Sequence, residues 1–368
     1  MRRAAWIALL ALGACSPPPS VPDEVLSVAT SLSAEPDPRF ERALEPRAFT
    51  FPADHGPHAS FQIEWWYFTG NLTDARGRRL GYQLTFFRSA FEAEQQERAS
   101  RWAARDAWMA HFALSDVEDG SFHAFERFER GALGLAGAQA DPFAVWTGPW
   151  HADGAPRTTY PIRLQAEQGG LAIDLALEPS KPVVLQGNRG LSQKGERRGN
   201  ASYYYSFPRL ATRGQIRTPD GTFEVSGTSW LDREWSTSAL EPGQVGWDWL
   251  ALQLDDGREL MLYQIRREDG TPGPQSAGTL IDTEGSSRTL AIDAFTIDVL
   301  ATWKSPKSGV VYPARWRIRV PSAELDLEVS PALADQELDL TFRYWEGAVD
   351  VAGSQRGRGY VELVGYGR

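Results

Sequence analysis

Two stretches of this chain match each other at a fixed separation. "WYFTGNLTDARGRRLGYQL", from Trp66, aligns with "WDWLALQLDDGRELMLYQI", from Trp247. Trp66, Asp74, Tyr82 and Gln83 fall on Trp247, Asp255, Tyr263 and Gln264, each pair 181 residues apart. Each copy reads as strand, Asp-containing turn with a glycine, strand; "TDARGR" and "DDGR" supply hairpin turn chemistry between aromatic-rich runs. A third strand follows in both, "WMAHFALSD" after the first hairpin and "SAGTLIDTEG" after the second. A repeat of this length commits the chain to two copies of one β-unit.

The first copy opens on "QIEWWYFTGNL", residues 62–72, in which four aromatics follow one acid. Successive side chains of a strand point to opposite faces, so Glu64, Trp66 and Phe68 share one face, and Trp65, Tyr67 and Thr69 the other. A sheet with one wet face alternates apolar with polar residues. This strand has bulky rings on both sides, so both sides must be covered, one by a barrel interior and the other by a neighbouring domain.

"LAIDLALEP", "FEVSGTSWL", "FTIDVLATW", "RWRIRV", "LDLEV" and "LDLTFRYWEGAVDV" also alternate and end at Gly, Pro or Asp. The Ala-, Glu- and Arg-rich "SAFEAEQQERASRWAARDAW" reads instead as a helical excursion between the second and third strands. Many short strands without interleaved helices mean barrels or sandwiches. The expectation is a mainly β chain of two tandem antiparallel β-barrel domains.

The N-terminal "MRRAAWIALLALGAC" has two arginines, a short apolar run and small residues before Cys15, the pattern of a signal peptide. "LGAC" resembles a bacterial lipobox, which makes Cys15 the lipidation site. Cys15 is the single cysteine of the chain, so no internal disulfide forms. The Pro-rich stretch after it reads as a tether of ~30 Å. The domain reading is therefore leader 1–15, tether 16–47, first barrel 48–225 and second barrel 226–368. The protein is expected in a bacterial envelope, anchored through Cys15, with the outer membrane's periplasmic face as its place. Two of the 38 basic side chains lie in the leader, leaving 36 against 48 acidic ones, a net charge of −12. Nothing in that balance attracts nucleic acid or an anionic lipid surface.

"FPADHGPHASFQIEWWYFTGNL", "SYYYSFPRLATRGQI", "VSGTSWLDREWSTSAL" and "RYWEGAVDVAGSQRGRGYVELVGY" resemble the AttH family of lipocalin-like proteins, related to carotenoid 1,2-hydratases. The resemblance spans roughly residues 48–368 and implies two lipocalin-like barrels in tandem. In the hydratases it implies, a His-x-Trp and a Tyr-x-Asp motif carry the chemistry. The matching positions here are Arg233-Glu234-Trp235 and Tyr263-Gln264-Ile265. Both aromatics are kept, but Arg233 stands for the histidine, and Ile265 cannot donate a proton.

The candidate catalytic set is therefore Asp232, Glu234, Trp235 and Tyr263. An extended "SWLDREWST" places Trp230, Asp232 and Glu234 on one face and Leu231, Arg233 and Trp235 on the other. Two carboxylates on one face can share a proton or be driven apart in pKa; the alternative is that they neutralise buried arginines. The candidate ligand-binding set is Glu64, Trp66, Phe68, His111, Trp230, Trp247 and Trp249. Glu64 is either a carboxylate in an apolar cavity or half of a rim salt bridge. His111, within "MAHFALSD", is either a satisfied core histidine or a cavity-facing acid–base group.

Asp54, His55 and His58 of "DHGPH" lack an accompanying HExxH or Cys cluster, so the stretch reads as an ordered loop and no metal is expected. No G-x-S-x-G elbow, P-loop or dinucleotide fingerprint occurs, and no cofactor is expected. Three readings stand together. The first is a carrier that holds an apolar lipid or isoprenoid in a barrel or between barrels. The second is a hydro-lyase or hydrolase on the same scaffold. The third is a structural accessory of an envelope ABC permease.

Overall fold

The computed structural model describes residues 37–93, 100, 102–156, 158–237 and 240–367. Its strands form two antiparallel sheets, each curled into a nearly closed barrel, with 11 and 9 strands along their main paths; Val184–Leu185 and Leu191–Gln193 pair beside the first path and Glu337–Leu338 beside the second. The first sheet runs Ser121–Arg130, Asp106–Asp116, Arg79–Ala90, Ile63–Asp74, Gly221–Ser236, Ala201–Thr218, Leu171–Pro179, Thr159–Gln168, Trp150–Ala155, Phe143–Thr147, Ala136–Ala140. The second runs Ser287–Ala291, Ala277–Ile281, Glu259–Arg267, Gln244–Leu254, Gly357–Val364, Tyr344–Gly353, Leu325–Pro331, Val311–Val320, Thr296–Lys304. The second order repeats the first strand for strand, without the counterparts of the last two. In both, the last long strand of the unit returns to pair with its first inside the sheet, and the sheet edges are Ser121–Arg130 and Ala136–Ala140 in one and Ser287–Ala291 and Thr296–Lys304 in the other.

The chain changes sheet later than the sequence suggests. Gly221–Ser236 pairs along its length with Ile63–Asp74, so residues 226–236 belong to the first barrel. The second sheet begins at Gln244. Register explains this: the alternation of "SGTSWLDREWS" continues across position 226, with Leu231 and Trp235 in the first core and Trp230 in the layer between the barrels.

The expected helix is only partly open to comparison. Ser89 and Ala90 end one strand and Asp106–Trp108 begin the next. Residues 94–99 and 101, the centre of that stretch, lie outside the described residues, as does everything up to residue 36, including Cys15.

The repeat is real, but its sequence alignment is one residue out of structural register. Gly77 donates to Asp74 O, and Gly257 to Leu254 O, each at 3.1 Å. Their φ values are +91° and +87°, a conformation glycine adopts without strain. The equivalent turns are thus 180 residues apart. At that spacing Leu72 and Leu80 of the first core meet Leu252 and Leu260 of the second. A one-residue slip sends every side chain to the other face. Trp66 and Tyr82 accordingly point into the first barrel, whereas Trp247 and Tyr263 point between the barrels.

The first barrel is filled by its own rings. Trp66 stacks on Trp108 at 5.7 Å, and Phe112 meets Trp150 edge-on at 5.8 Å. The other face of the Ile63–Asp74 strand carries Trp65 and Tyr67 into a separate apolar layer against the second barrel. That layer covers the second row of rings. Buried ties flank it: Lys181 Nζ lies 2.7 Å from Glu259, which Arg209 also meets at 2.5 Å. Asn71 donates to Gly359 O at 3.0 Å, and Ser115 to Gln336 at 2.7 Å.

Candidate functional site

The candidate residues divide between two places. The register Glu64↔Trp235, Trp66↔Arg233, Phe68↔Leu231 puts these side chains inside the first barrel. Trp65↔Glu234, Tyr67↔Asp232 and Thr69↔Trp230 occupy the opposite face, between the barrels. Trp235, grouped with Asp232 and Glu234 from sequence, is therefore separated from them by the sheet itself. Trp66 and Phe68 likewise line a different enclosure from Trp247, Trp249 and Tyr263.

Inside the first barrel the polar groups hold one another. Glu64 is 0% exposed and binds both Arg88 and Arg233. Burial opposes its charge, but the two guanidiniums outweigh that and hold its carboxyl well below the usual range. The Arg233 guanidinium lies 3.8 Å from the Trp66 ring centroid and donates to Gly56 O at 2.6 Å. His58 stacks on Trp235 at 3.7 Å, and its Nε2 lies 3.0 Å from Asp54 Oδ1. The "DHGPH" loop is thus the lid on this end of the barrel, and Glu64 is a structural ion pair, buried rather than at the rim.

Between the barrels two rows of side chains face each other. On the first sheet, cross-strand pairing sets Ser206, Asp232, Tyr67, Thr85 and His111 side by side. On the second it sets Glu346, Glu362, Trp249 and Tyr263 in line. The Tyr67 and Trp249 rings meet edge-on at 5.1 Å, and Trp249 Nε1 donates to Tyr204 Oη at 3.2 Å. His111 Nδ1 lies 2.7 Å from Tyr344 Oη, so both ends of the rows are joined.

Asp232, 4% exposed, accepts hydrogen bonds from Tyr204 Oη and Trp230 Nε1, both at 2.6 Å, and from Ser206. Burial pushes its carboxyl up to about 7 against those donors, and the Glu234 charge adds to the rise. Glu234 pairs with Lys194 at 3.1 Å. Burial works against the Lys194 charge, but Glu234 outweighs it and raises the amine. That ammonium also sits 4.5 Å from the Tyr263 ring centroid.

Glu346 and Glu362 are direct cross-strand partners, two carboxyls side by side in a largely dry layer. Burial pushes Glu362 up to about 8, with the charges of Asp232 and Glu234 assisting and the Trp247 indole opposing. Burial and then the neighbouring Glu362 raise Glu346 as well, while the Tyr67 and Tyr344 hydroxyls oppose. His111, 0% exposed, has its imidazole lowered to about 3 by burial and is neutral. Trp65, Trp247, Lys194 and Glu362 are the half-buried members, so the layer meets solvent at their end.

A profile of the AttH-like family matches residues 42–366. The chain belongs to the AttH-like family. The crystal structure of an AttH from Nitrosomonas europaea is 36% identical with a TM-score of 0.81, covering 89% of this chain and all 100% of that one. Kievitone hydratase from Nectria haematococca superposes with a TM-score of 0.67 at 15% identity, over 89% of this chain and 97% of its own. CghA, solved with Sch210972, gives 0.50 at 12% identity over 90% and 97%. These last two share the fold. Among curated proteins no sequence matches.

In this AttH-like protein Arg233, expected from the resemblance to stand for a histidine, is a core ion-pair partner of Glu64 and faces away from Asp232. Ile265, expected to stand for an aspartate, is buried in the inter-barrel layer. The carboxyls of that layer come instead from Asp232, Glu234, Glu346 and Glu362. Sequence reading missed Glu346 and Glu362. Their signal was an acid on the inward phase of "RYWEGAVDV" and "GYVELVGY", visible once the two strands are known to pair in register.

Proposed function

We propose that this AttH-like protein is a hydro-lyase that adds water to, or removes it from, an apolar alkene held between its two barrels. The observation that carries the reading is the Glu346–Glu362 cross-strand pair facing Asp232, with acids near 7 and 8 where ordinary carboxyls are ionised at neutral pH. The fold shared with kievitone hydratase supports it.

Glu362, protonated at neutral pH, gives its proton to one alkene carbon. The resulting cation lies against the rings of Trp249 and Tyr67. Water bonds to the cationic carbon, and its surplus proton passes to the Asp232 carboxylate, whose charge three donors support. Proton transfer from Asp232 back to Glu362 restores the start, so the net change is one water added. The filled first barrel leaves the inter-barrel layer, open at Trp65 and Trp247, as the place for the substrate. On this reading the anchor at Cys15 keeps the layer near a membrane from which an apolar substrate arrives.

The test is hydration in oxygen-18 water over a panel of isoprenoid alkenes and prenylated phenols, together with solvent extraction of the protein from its own envelope. Wild type adds labelled oxygen; Glu362→Gln and Asp232→Asn lose that activity while remaining folded, with cooperative melts. Activity that survives both substitutions overturns the mechanism. A copurifying apolar molecule that is bound but never turned over assigns the carrier function instead.

A further inference from the structure

The row of polar groups continues past Tyr67 and the acids to Gln83 and His111, which the reaction does not use. Gln83 is 2% exposed, and its Nε2 donates to Thr85 Oγ1 at 2.9 Å and to Tyr344 Oη at 3.3 Å. Its Oε1 is buried and accepts from nothing. His111 meets Tyr344 through Nδ1, and its buried Nε2 has no partner either. The Tyr67 hydroxyl approaches Glu346 without reaching hydrogen-bond geometry, and Tyr67 Oη and Glu346 Oε1 complete no bond. Three side chains of the first sheet, and Glu346 facing them from the second, thus leave a polar atom unmatched, where a single such atom ordinarily costs about 1–3 kcal/mol.

The chemistry of these atoms selects a ligand. Gln83 Oε1 can only accept, so its partner must bring a hydrogen. The Tyr67 hydroxyl can donate. Neutral His111 carries one ring hydrogen, so its Nε2 donates or accepts according to which nitrogen holds that hydrogen. A group that gives one hydrogen and accepts others is a hydroxyl. A ketone or ether leaves Gln83 unmatched, and a hydrocarbon leaves all four.

We propose that Gln83, His111, Tyr67 and Glu346 form a subsite for a hydroxyl group, so that the ligand of this layer is an apolar molecule ending in a phenol or alcohol. The proposal rests on the inter-barrel layer being the ligand site. The rows also set its reach. His111 lies three strands from Asp232, which is about 14 Å at ~4.8 Å per strand. Tyr67 and Glu346, by contrast, adjoin Asp232 and Glu362 directly, so the hydroxyl is held at the near end of this span, close to the reacting carbon, and it orients the molecule rather than reacting.

Binding of 2-naphthol and of 2-methoxynaphthalene, measured by calorimetric titration, tests this without any turnover. Wild type binds the naphthol about 10-fold or more tighter, the ratio expected when a buried acceptor loses its partner. Gln83→Met and, separately, Tyr67→Phe bring the two affinities together by weakening the naphthol alone. Thermal melts of both variants verify that they fold. Equal affinities in wild type, a preference that persists in both variants, or no binding of either compound overturns the subsite. Glu362→Gln keeps the preference while losing hydration, so failure of the reaction mechanism is read separately from failure of the subsite.

Discussion

Arg233 lies flat against Trp66, 3.8 Å from the ring centroid, while its guanidinium binds the fully buried Glu64. Arg233 therefore holds a core together. Removing one partner of such a pair strands a buried charge. Arg233→Ala is expected to cost about 3–5 kcal/mol, read as a lower denaturation midpoint. Glu64 also holds Arg88, so only the triple substitution Arg233→Met, Glu64→Leu, Arg88→Met, which strands none of these charges, restores most of it. A single variant as stable as wild type defeats this assignment.

Ring positions on the two faces should behave differently. Trp66→Ala empties part of the first barrel and costs about 3–5 kcal/mol of stability, with naphthol affinity unchanged in the folded fraction. Trp249→Ala weakens naphthol binding instead, and the loss is largest relative to its effect on melting. If Trp66→Ala abolishes binding in folded protein, the barrel interior rather than the layer holds the ligand.

Acidity should divide in the same way. Asp232 and Glu362 have folded pKa values of about 7 and 8, above the unfolded values of about 3.9 and 4.3. Their protons are held more tightly in the folded chain. Stability from them is complete below about pH 4 and is lost as pH rises through 7 to 8, by up to ~1.4 kcal/mol per pH unit for each proton. Glu64 has the opposite sign: its depressed pKa stabilises the fold above about pH 4 and fails as pH falls further. Glu362→Gln therefore flattens the fall between pH 5 and 8 in denaturation curves and leaves the acid limb in place. A curve unchanged by that substitution removes Glu362 as a protonated group.

The barrels are also tied by Glu259, which neutralises Lys181 and Arg209 of the first barrel from the second. Glu259→Ala leaves two cations against one apolar seam. Calorimetry should then resolve the single unfolding transition into two, the first shifted down by several degrees for ~3 kcal/mol lost. A single transition at the wild-type temperature would show that the apolar layer alone joins them.

Local pattern carried much of this structure. Alternation placed the rings of Trp65, Trp66, Tyr67 and Phe68 on alternate faces, and it separated Asp232 from Arg233, because side-chain direction in a strand depends only on parity. The hairpin turns were equally legible, since Asp and Gly at those spacings have few other uses. The repeat was visible, but its register was not: identical residues at a 181-residue spacing concealed a structural offset of 180, and parity then inverted Trp247 relative to Trp66.

By itself the sequence determined that the chain is β-rich, duplicated and closed on both faces of its first strand, since these follow from periodicity and turn chemistry. Only the tertiary structure decided which carboxyls meet. Glu346 and Glu362 become neighbours through one antiparallel register, and they meet Asp232 only because two sheets stack. Burial, which no single strand possesses, is what moves their protons into the neutral range.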